Sequence, residues 1–222
     1  MIENTDKSIL INQPKNTPHI AFDVILPTIM RPTLEETVNS VFHQTYKNWR
    51  LLWAFDIEMG TPFILEGYNI IPTIAPPVTC VCLDDLGPHN DNGTTARNKA
   101  ISIGHNPWIV YIDDDDIWLT NHLETMANLI ALHSNANMFK TAGQQFKWGH
   151  RHPRSSKLVK KLGPINSKDV LTVGMCHSRE LFNKTNGWIN RDNHDAILWH
   201  EMLDKGGIPI YSDTITFQFA KS

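Results

Sequence analysis

The chain has 222 residues, 41% of them hydrophobic and 19% charged, which is enough apolar material for one sizeable core and excludes a disordered chain. Its 20 Lys and Arg against 23 Asp and Glu leave a net charge of -3, so there is no general basic surface for nucleic acid or anionic membrane and any anion must be met locally. The longest apolar runs, residues 108–112 and 127–132, fall far short of the ~20 residues of a bilayer span.

Residues 1–19 are polar and mixed in charge, with residues 9–11 as their one apolar run. Without the long apolar core of a signal peptide they read as the flexible leader of a cytoplasmic protein. Cys80, Cys82 and Cys176 agree, since an odd number without CxxC spacing gives neither a disulfide framework nor a zinc site. Residues 21–26 form a first β-type run, stopped by Pro27. Thr33 with Glu36 then carries a capping-box signature, and Leu34, Val38, Val41 and Phe42 mark one face of the helix that follows. Runs at residues 50–55 and 78–83 end in Asp56 and in Asp84 with Asp85. Residues 93–103 are helical in composition, and residues 108–112, a compact buried-strand pattern, run straight into Asp113, Asp114, Asp115 and Asp116. A helix is predicted over residues 119–133 from its apolar spacing. The second half is less regular: strands at 140–147 and 169–177, a helix at 193–205 closed by Gly206 and Gly207, and strand-like segments at 208–211 and 214–219. The alternation predicts an α/β fold with a mainly parallel central sheet flanked by helices.

Ligands of such sheets collect at the carboxyl ends of the strands, which puts Asp56, Asp84 and the aspartates 113–116 on one rim. Consecutive carboxylates repel one another unless a hard cation or a donor network offsets them. Strand alternation would turn Asp113 and Asp115 to the same side, where Mg²⁺ or Mn²⁺ takes one or two carboxylates and completes its shell with phosphate oxygens and water. The competing reading has these acids capping the next helix in solvent. Neither GxxxxGK[ST] nor GxGxxG occurs, which removes support for ATP hydrolysis and dinucleotide binding. Arg97 is either a surface residue or a guanidinium that holds a nucleotide or locks the acids. Asp195 is either a helix N-cap, the reading its position favours by itself, or a general base over the rim. His150 and His152 are a weak metal pair in a Pro-containing loop. Around them, residues 147–161 hold six of the 20 basic residues and no acid, a local cationic loop that is either solvated or meets an anionic acceptor.

Taken in order along residues 22–216, these strings resemble the family 2 glycosyltransferases, which have the GT-A nucleotide-sugar fold. Phe22-Asp-Val-Ile-Leu-Pro-Thr-Ile-Met-Arg-Pro resembles the family's opening strand and Pro-Thr-x-x-Arg loop, and Val41-Phe-His-Gln-Thr-Tyr-Lys-Asn-Trp resembles its Gln-Thr-Tyr helix end. Asp56 stands where the second acid of the family's Asp-Asp-Gly-Ser turn contacts the nucleotide base. Ala96-Arg97-Asn98 matches its Ala-Arg-Asn, and Tyr111-Ile-Asp-Asp-Asp-Asp-Ile-Trp its DxD segment. Gly174 to His177, Gly187-Trp188 and His194-Asp195 follow the order of its acceptor-side motifs.

The resemblance implies an inverting, metal-dependent transferase that moves a sugar from a nucleoside diphosphate donor, a UDP-sugar, to a hydroxyl of a glycan or lipid-linked acceptor. It implies Asp195 as the catalytic base, and Pro27, Thr28, Arg31, Asp56, Arg97, Asp113 and Asp114 as nucleotide-sugar ligands. Asp115 with Asp113 would hold Mn²⁺ or Mg²⁺. It also implies a single GT-A domain over residues 20–222, with a Rossmann-like nucleotide-sugar half at 20–118 and a mixed acceptor half at 119–222. No nucleic acid partner and no membrane span are expected, while peripheral membrane contact stays open. Three departures stand out: Phe55-Asp56-Ile57-Glu58 replaces Asp-Asp-Gly-Ser, His194-Asp195 replaces Glu-Asp, and residues 217–222 lack the histidine that completes the metal site in many relatives. The altered motifs also fit a nucleotide-sugar-binding protein of the same fold without transfer activity.

Overall fold

The computed structural model describes residues 20–57, 78–82, 89–147 and 170–221. The leader, Asp84 and Asp85, and the basic segment with His150 and His152 lie outside the described residues. Strands β1 (Phe22–Thr28), β2 (Trp49–Phe55), β3 (Val78–Cys82) and β4 (Trp108–Tyr111) are parallel neighbours in the order β3-β2-β1-β4. Strand β7 (Met175–Ser178) joins β4 antiparallel, and β6 (Met138–Lys147) pairs antiparallel with β7 and parallel with β8 (Pro209–Lys221). The short β5 (Ile117–Trp118) closes the sheet against β8. The expected α/β class is therefore present, parallel in the first half and mixed in the second.

Period-two alternation decides the layers. Phe22, Val24 and Leu26 face the side covered by α1 (Leu34–Phe42) and α3 (His122–Leu132), through Leu34, Val38, Val41, Leu123 and Met126. Ile25 faces the other side, covered by α2 (Thr94–Ile103), α4 (Arg179–Phe182) and α5 (His194–Asp204) through Ala96, Ala100, Leu181, Leu198, Trp199 and Met202. Burying each large apolar side chain stabilises the fold by about 1.5–3 kcal/mol, so the two layers hold the sheet between them. Strand β1 continues through Pro27 to Thr28 instead of stopping at Leu26. The pairing of β1 with β4 ends at Ile25 while that with β2 runs on to Thr28, and the Pro27 nitrogen falls on the β4 side, where no ladder donor is required.

A fully buried carboxylate lies inside this core. Asp23, 0% exposed on β1, accepts from Arg50 of β2 at 3.1 Å, from Arg179 of α4 at 2.5 Å and from the Asn106 backbone N–H at 3.0 Å. Both carboxylate oxygens are satisfied, which is the condition for tolerating a buried ion. The cluster ties the first half of the sheet to α4 at the amino end of β1, away from the carboxyl-end rim.

Two buried histidines make the fold acid-sensitive. His177 accepts the Tyr111 hydroxyl on Nε2 at 2.7 Å and stacks on Phe182 at 5.5 Å; burial lowers its pKa from 6.5 to about 4. His122 stacks on Trp118 at 4.3 Å with Nδ1 2.7 Å from the Thr216 hydroxyl, and burial lowers it to about 3. Below pH 6.5 the unfolded chain takes up protons that the folded chain refuses, so stability falls with pH until the folded pKa values are reached. We expect a loss on the order of 2–3 kcal/mol per histidine between pH 6.5 and 4, read as a falling denaturant midpoint. A midpoint that is flat from pH 6.5 to 5, above the carboxylate range, would contradict buried neutral imidazoles.

Candidate functional site

Strand β4 ends at Tyr111, and the backbone then turns, with the Asp116 N–H donating to the Asp113 carbonyl at 3.0 Å. Asp113 and Asp115 border one cavity, in keeping with the expected shared side, and the turn brings Asp114 to the same wall while giving each carboxylate a different partner. Asp114 points inward at 2% exposure: Thr28 Oγ1 donates to Oδ2 at 2.8 Å, the Ile29 N–H at 3.3 Å, and the Arg31 guanidinium pairs with Oδ1. The Thr33 hydroxyl donates to the Asp114 carbonyl at 2.8 Å, and Thr37 of α1 donates to the Asp116 carbonyl at 2.8 Å. This corrects the capping-box expectation, because Thr33 makes no side-chain cap and instead staples the start of α1 to the acid turn.

Asp113, partly exposed, pairs with Arg97 of α2. Asp115, also partly exposed, differs from its neighbours: its nearest cation is Arg31 at 3.9 Å, beyond hydrogen-bonding distance. Burial and the adjacent Asp113 charge push its pKa up, against the partial opposition of Arg31. Among the described residues no three His, Cys, Asp or Glu side chains converge to hold a metal ion. Asp115, with the Asp113 oxygen that does not face Arg97, could take a hard cation, and two carboxylates would leave the other positions of its shell to groups from outside the protein.

At the end of β2, Asp56 is 3% exposed, and its Oδ1 accepts both the His89 N–H at 3.0 Å and His89 Nδ1 at 2.6 Å. The loop entering α2 has left-handed backbone at Asn90, Asn92 and Gly93, with φ of 52°, 56° and 73°. A Cβ on Gly93 would lie 3.2 Å from both Arg97 Nη1 and Pro27 Cβ, a tight fit that adds to the preference its left-handed φ already gives glycine. Asp91 fixes this turn by accepting the Thr95 N–H at 2.8 Å.

Asp195 is the second residue of α5, whose N-cap is Asn193 with φ 58° and no capping side chain. The N-cap reading of Asp195 is thus not what the structure shows. Its Oδ2 accepts from Thr172 Oγ1 at 3.2 Å, and its Oδ1 is 3.9 Å from His194 Nε2.

A cavity of about 420 Å³ opens where β1, β2 and β4 end. Its wall includes Pro27, Thr28, Arg31, Asp56, Arg97, Asp113, Asp114 and Asp115, so every expected donor-side and metal-side residue converges there. The wall also includes Asn90, Asp91, Asn92, Gly93 and His194, which the sequence reading did not single out as ligands. The Asn-Asp-Asn-Gly string was the available signal, since these residue types are the ones that adopt left-handed turns. Asp195 is not on that wall, although its neighbour His194 is.

Comparison with known proteins follows this geometry. The profile described as Glycosyl transferase family 2 matches residues 23–186. A putative teichuronic acid biosynthesis glycosyltransferase, TuaG of Bacillus subtilis, is 30% identical over 191 residues, covering 82% of this chain and 72% of TuaG. The Escherichia coli UDP-Glc:alpha-D-GlcNAc-diphosphoundecaprenol beta-1,3-glucosyltransferase WfgD is 23% identical over 52% of this chain and 43% of its own length. Among solved structures, S. aureus TarS 1-349 in complex with UDP-GlcNAc superposes with a TM-score of 0.67 at 15% identity, over 91% of this chain and 59% of that one. The mannosyltransferase PcManGT from Pyrobaculum calidifontis, in complex with GDP-Man and Mn²⁺, gives a TM-score of 0.63 at 16% identity, over 90% of this chain and 56% of that one. The chain thus spans less than two thirds of these structural relatives, which share its GT-A fold. With the family profile covering most of the chain and the acid turn, Ala-Arg-Asn helix and strand ends gathered on one cavity, this protein belongs to glycosyl transferase family 2 and is a glycosyltransferase.

Proposed function

We propose that the chain transfers a sugar, with inversion, from a UDP-sugar to a hydroxyl of a glycan or lipid-linked acceptor, assisted by Mn²⁺ or Mg²⁺. The observation that carries this reading is the single cavity in which Asp56, Asp113 and Asp115 meet. Asp115 and Asp113 would hold the cation, and the Mn²⁺ bound with GDP-Man in the mannosyltransferase structure supports that use of the fold. When bound, the cation supplies positive charge against the departing diphosphate. Arg31, facing Asp114 and Asp115 with its side chain 46% exposed, adds a second positive group beside it.

Base choice follows from Asp56. Both His89 donors fall on Oδ1 and fill its two lone-pair positions, and among the described residues no donor meets Oδ2, the oxygen that would accept from the ligand. One free oxygen suits a base edge with one ring N–H, as in uracil; guanine presents two adjacent donors and would require both oxygens. The UDP-GlcNAc complex of TarS and the UDP-Glc named for WfgD support the same nucleotide. The TuaG and WfgD names support a polymer or lipid-diphosphate acceptor, for which the basic stretch 147–161 supplies suitable charge.

In the transfer step the acceptor oxygen forms a bond to the anomeric carbon while the bond from that carbon to the diphosphate oxygen breaks and its electron pair leaves with the diphosphate. Asp195 takes the acceptor's proton. A second reading has His194 as the base, because His194 and not Asp195 lies on the cavity wall. A panel of UDP-, TDP- and GDP-sugars with Mn²⁺, read by release of nucleoside diphosphate, tests the proposal. Slow hydrolysis of a UDP-sugar is expected. Retention of UDP with no donor consumed in the presence of acceptors would instead identify a binding protein, and preference for a GDP-sugar would overturn the reading of Asp56.

A further inference from the structure

We infer that Trp188 is a positioning residue that sets the acid edge of the donor site against the start of α5, and that the Ala96-Arg97-Asn98 segment works chiefly by clamping it. This goes beyond the transfer reaction but rests on the same reading of the cavity. The Arg97 guanidinium lies over the Trp188 ring at 4.8 Å while its Nη2 pairs with Asp113. One turn face thus joins an indole to a donor-site carboxylate through a single guanidinium. Asn98, the next residue, holds the backbone of Trp188 from both sides: its Nδ2 donates to the Trp188 carbonyl at 2.8 Å, and its Oδ1 accepts the Trp188 N–H at 2.9 Å. The loop is built around this contact. Gly187 has φ 74°, and a Cβ there would stand 2.8 Å from Asn98 Oδ1.

The same ring also meets β4 and the start of α5. Trp188 is 2% exposed, packs edge-on against Tyr111 of β4 at 5.1 Å and against His194 at 5.4 Å. Tyr111 leads into the acid turn, and His194 opens α5 on the cavity wall. One rigid indole therefore touches the strand that carries the acids, the arginine that holds Asp113, and the residue next to Asp195. A flat, polarisable face is needed for the arginine contact, whereas bulk suffices for the packing. The two roles are separable by substitution, because phenylalanine keeps a face and leucine keeps only bulk.

The test compares Trp188→Phe and Trp188→Leu with the parent protein in two measurements. Titration of UDP in the presence of Mn²⁺ should show the Phe variant within about threefold of the parent and the Leu variant weaker by about tenfold. Hydrogen exchange without any ligand should show faster exchange at both the 113–116 turn and the first turn of α5 in the Leu variant, and neither change in the Phe variant. Equal loss in both variants, in step with a lowered unfolding temperature, would mean that Trp188 is a packing residue and would overturn the inference. So would faster exchange confined to the segment around residue 188. If the parent itself fails to bind UDP, the nucleotide reading falls, and the exchange measurement still decides the role of Trp188.

Discussion

Asp195→Ala is expected to lower sugar transfer by about 10²–10⁴-fold, the range for losing a general base, while UDP affinity with Mn²⁺ stays within a small factor of the parent. The separation is the point of the experiment. Asp195 lies on α5 off the cavity wall, bonded to Thr172 at 3.2 Å and facing His194 at 3.9 Å. Its removal should therefore reduce turnover without touching the donor site. Full transfer activity in the Asp195→Ala variant would sink the assignment. If His194→Ala loses transfer in the same assay while Asp195→Ala keeps it, the base is the histidine on the wall.

Asp115→Ala is expected to abolish the Mn²⁺ dependence of UDP binding, so that the UDP dissociation constant with Mn²⁺ rises to its metal-free value. The reason is a difference among neighbours. Asp114 has both oxygens engaged by Thr28, Ile29 and Arg31, and Asp113 has one engaged by Arg97, whereas Asp115 has Arg31 no nearer than 3.9 Å. Asp114→Ala should act differently: it removes the buried carboxylate that holds Arg31 and the Thr28 loop, and so lowers both stability and nucleotide affinity. Calorimetric titration of UDP with and without Mn²⁺ distinguishes the two. A retained metal dependence in Asp115→Ala would show that another group holds the cation.

Much of this site was legible before any coordinates, and the parts that were not share a cause. The strands at the ends of which the acids lie, the helix that carries the Ala-Arg-Asn segment and the α/β class all follow from residue periodicity and composition, which report local backbone geometry. The acid turn itself was visible as four aspartates, and Asp113 and Asp115 do border one cavity, but alternation did not show that a turn closed by the Asp116 N–H brings Asp114 to the same wall, nor which guanidinium each carboxylate meets. The Thr33-Glu36 capping signature failed for a related reason. A threonine at that spacing has a local partner available in α1, and the structure gives it a distant one in Asp114. The Asp195 N-cap reading failed because Asn193, a residue type tolerant of left-handed backbone, takes the cap position.

By itself, then, the sequence determined the order of elements, the residue types on the carboxyl-end rim and the family to which their strings belong. The tertiary structure decided which partner each carboxylate meets. Asp114 meets Thr28 and Arg31 across 86 and 83 residues of chain, and Asn98 meets Trp188 across 90, contacts that exist because β1 and β4 are neighbours in the sheet and α2 packs beside the loop before α5. Periodicity carries information over a few turns of backbone, whereas the partner of a buried charge is set by strand order. That is why four identical aspartates in a row became one carboxylate anchored by Thr28 and Arg31, one paired with Arg97, one buried turn residue and, in Asp115, one whose guanidinium neighbour stays 3.9 Å away.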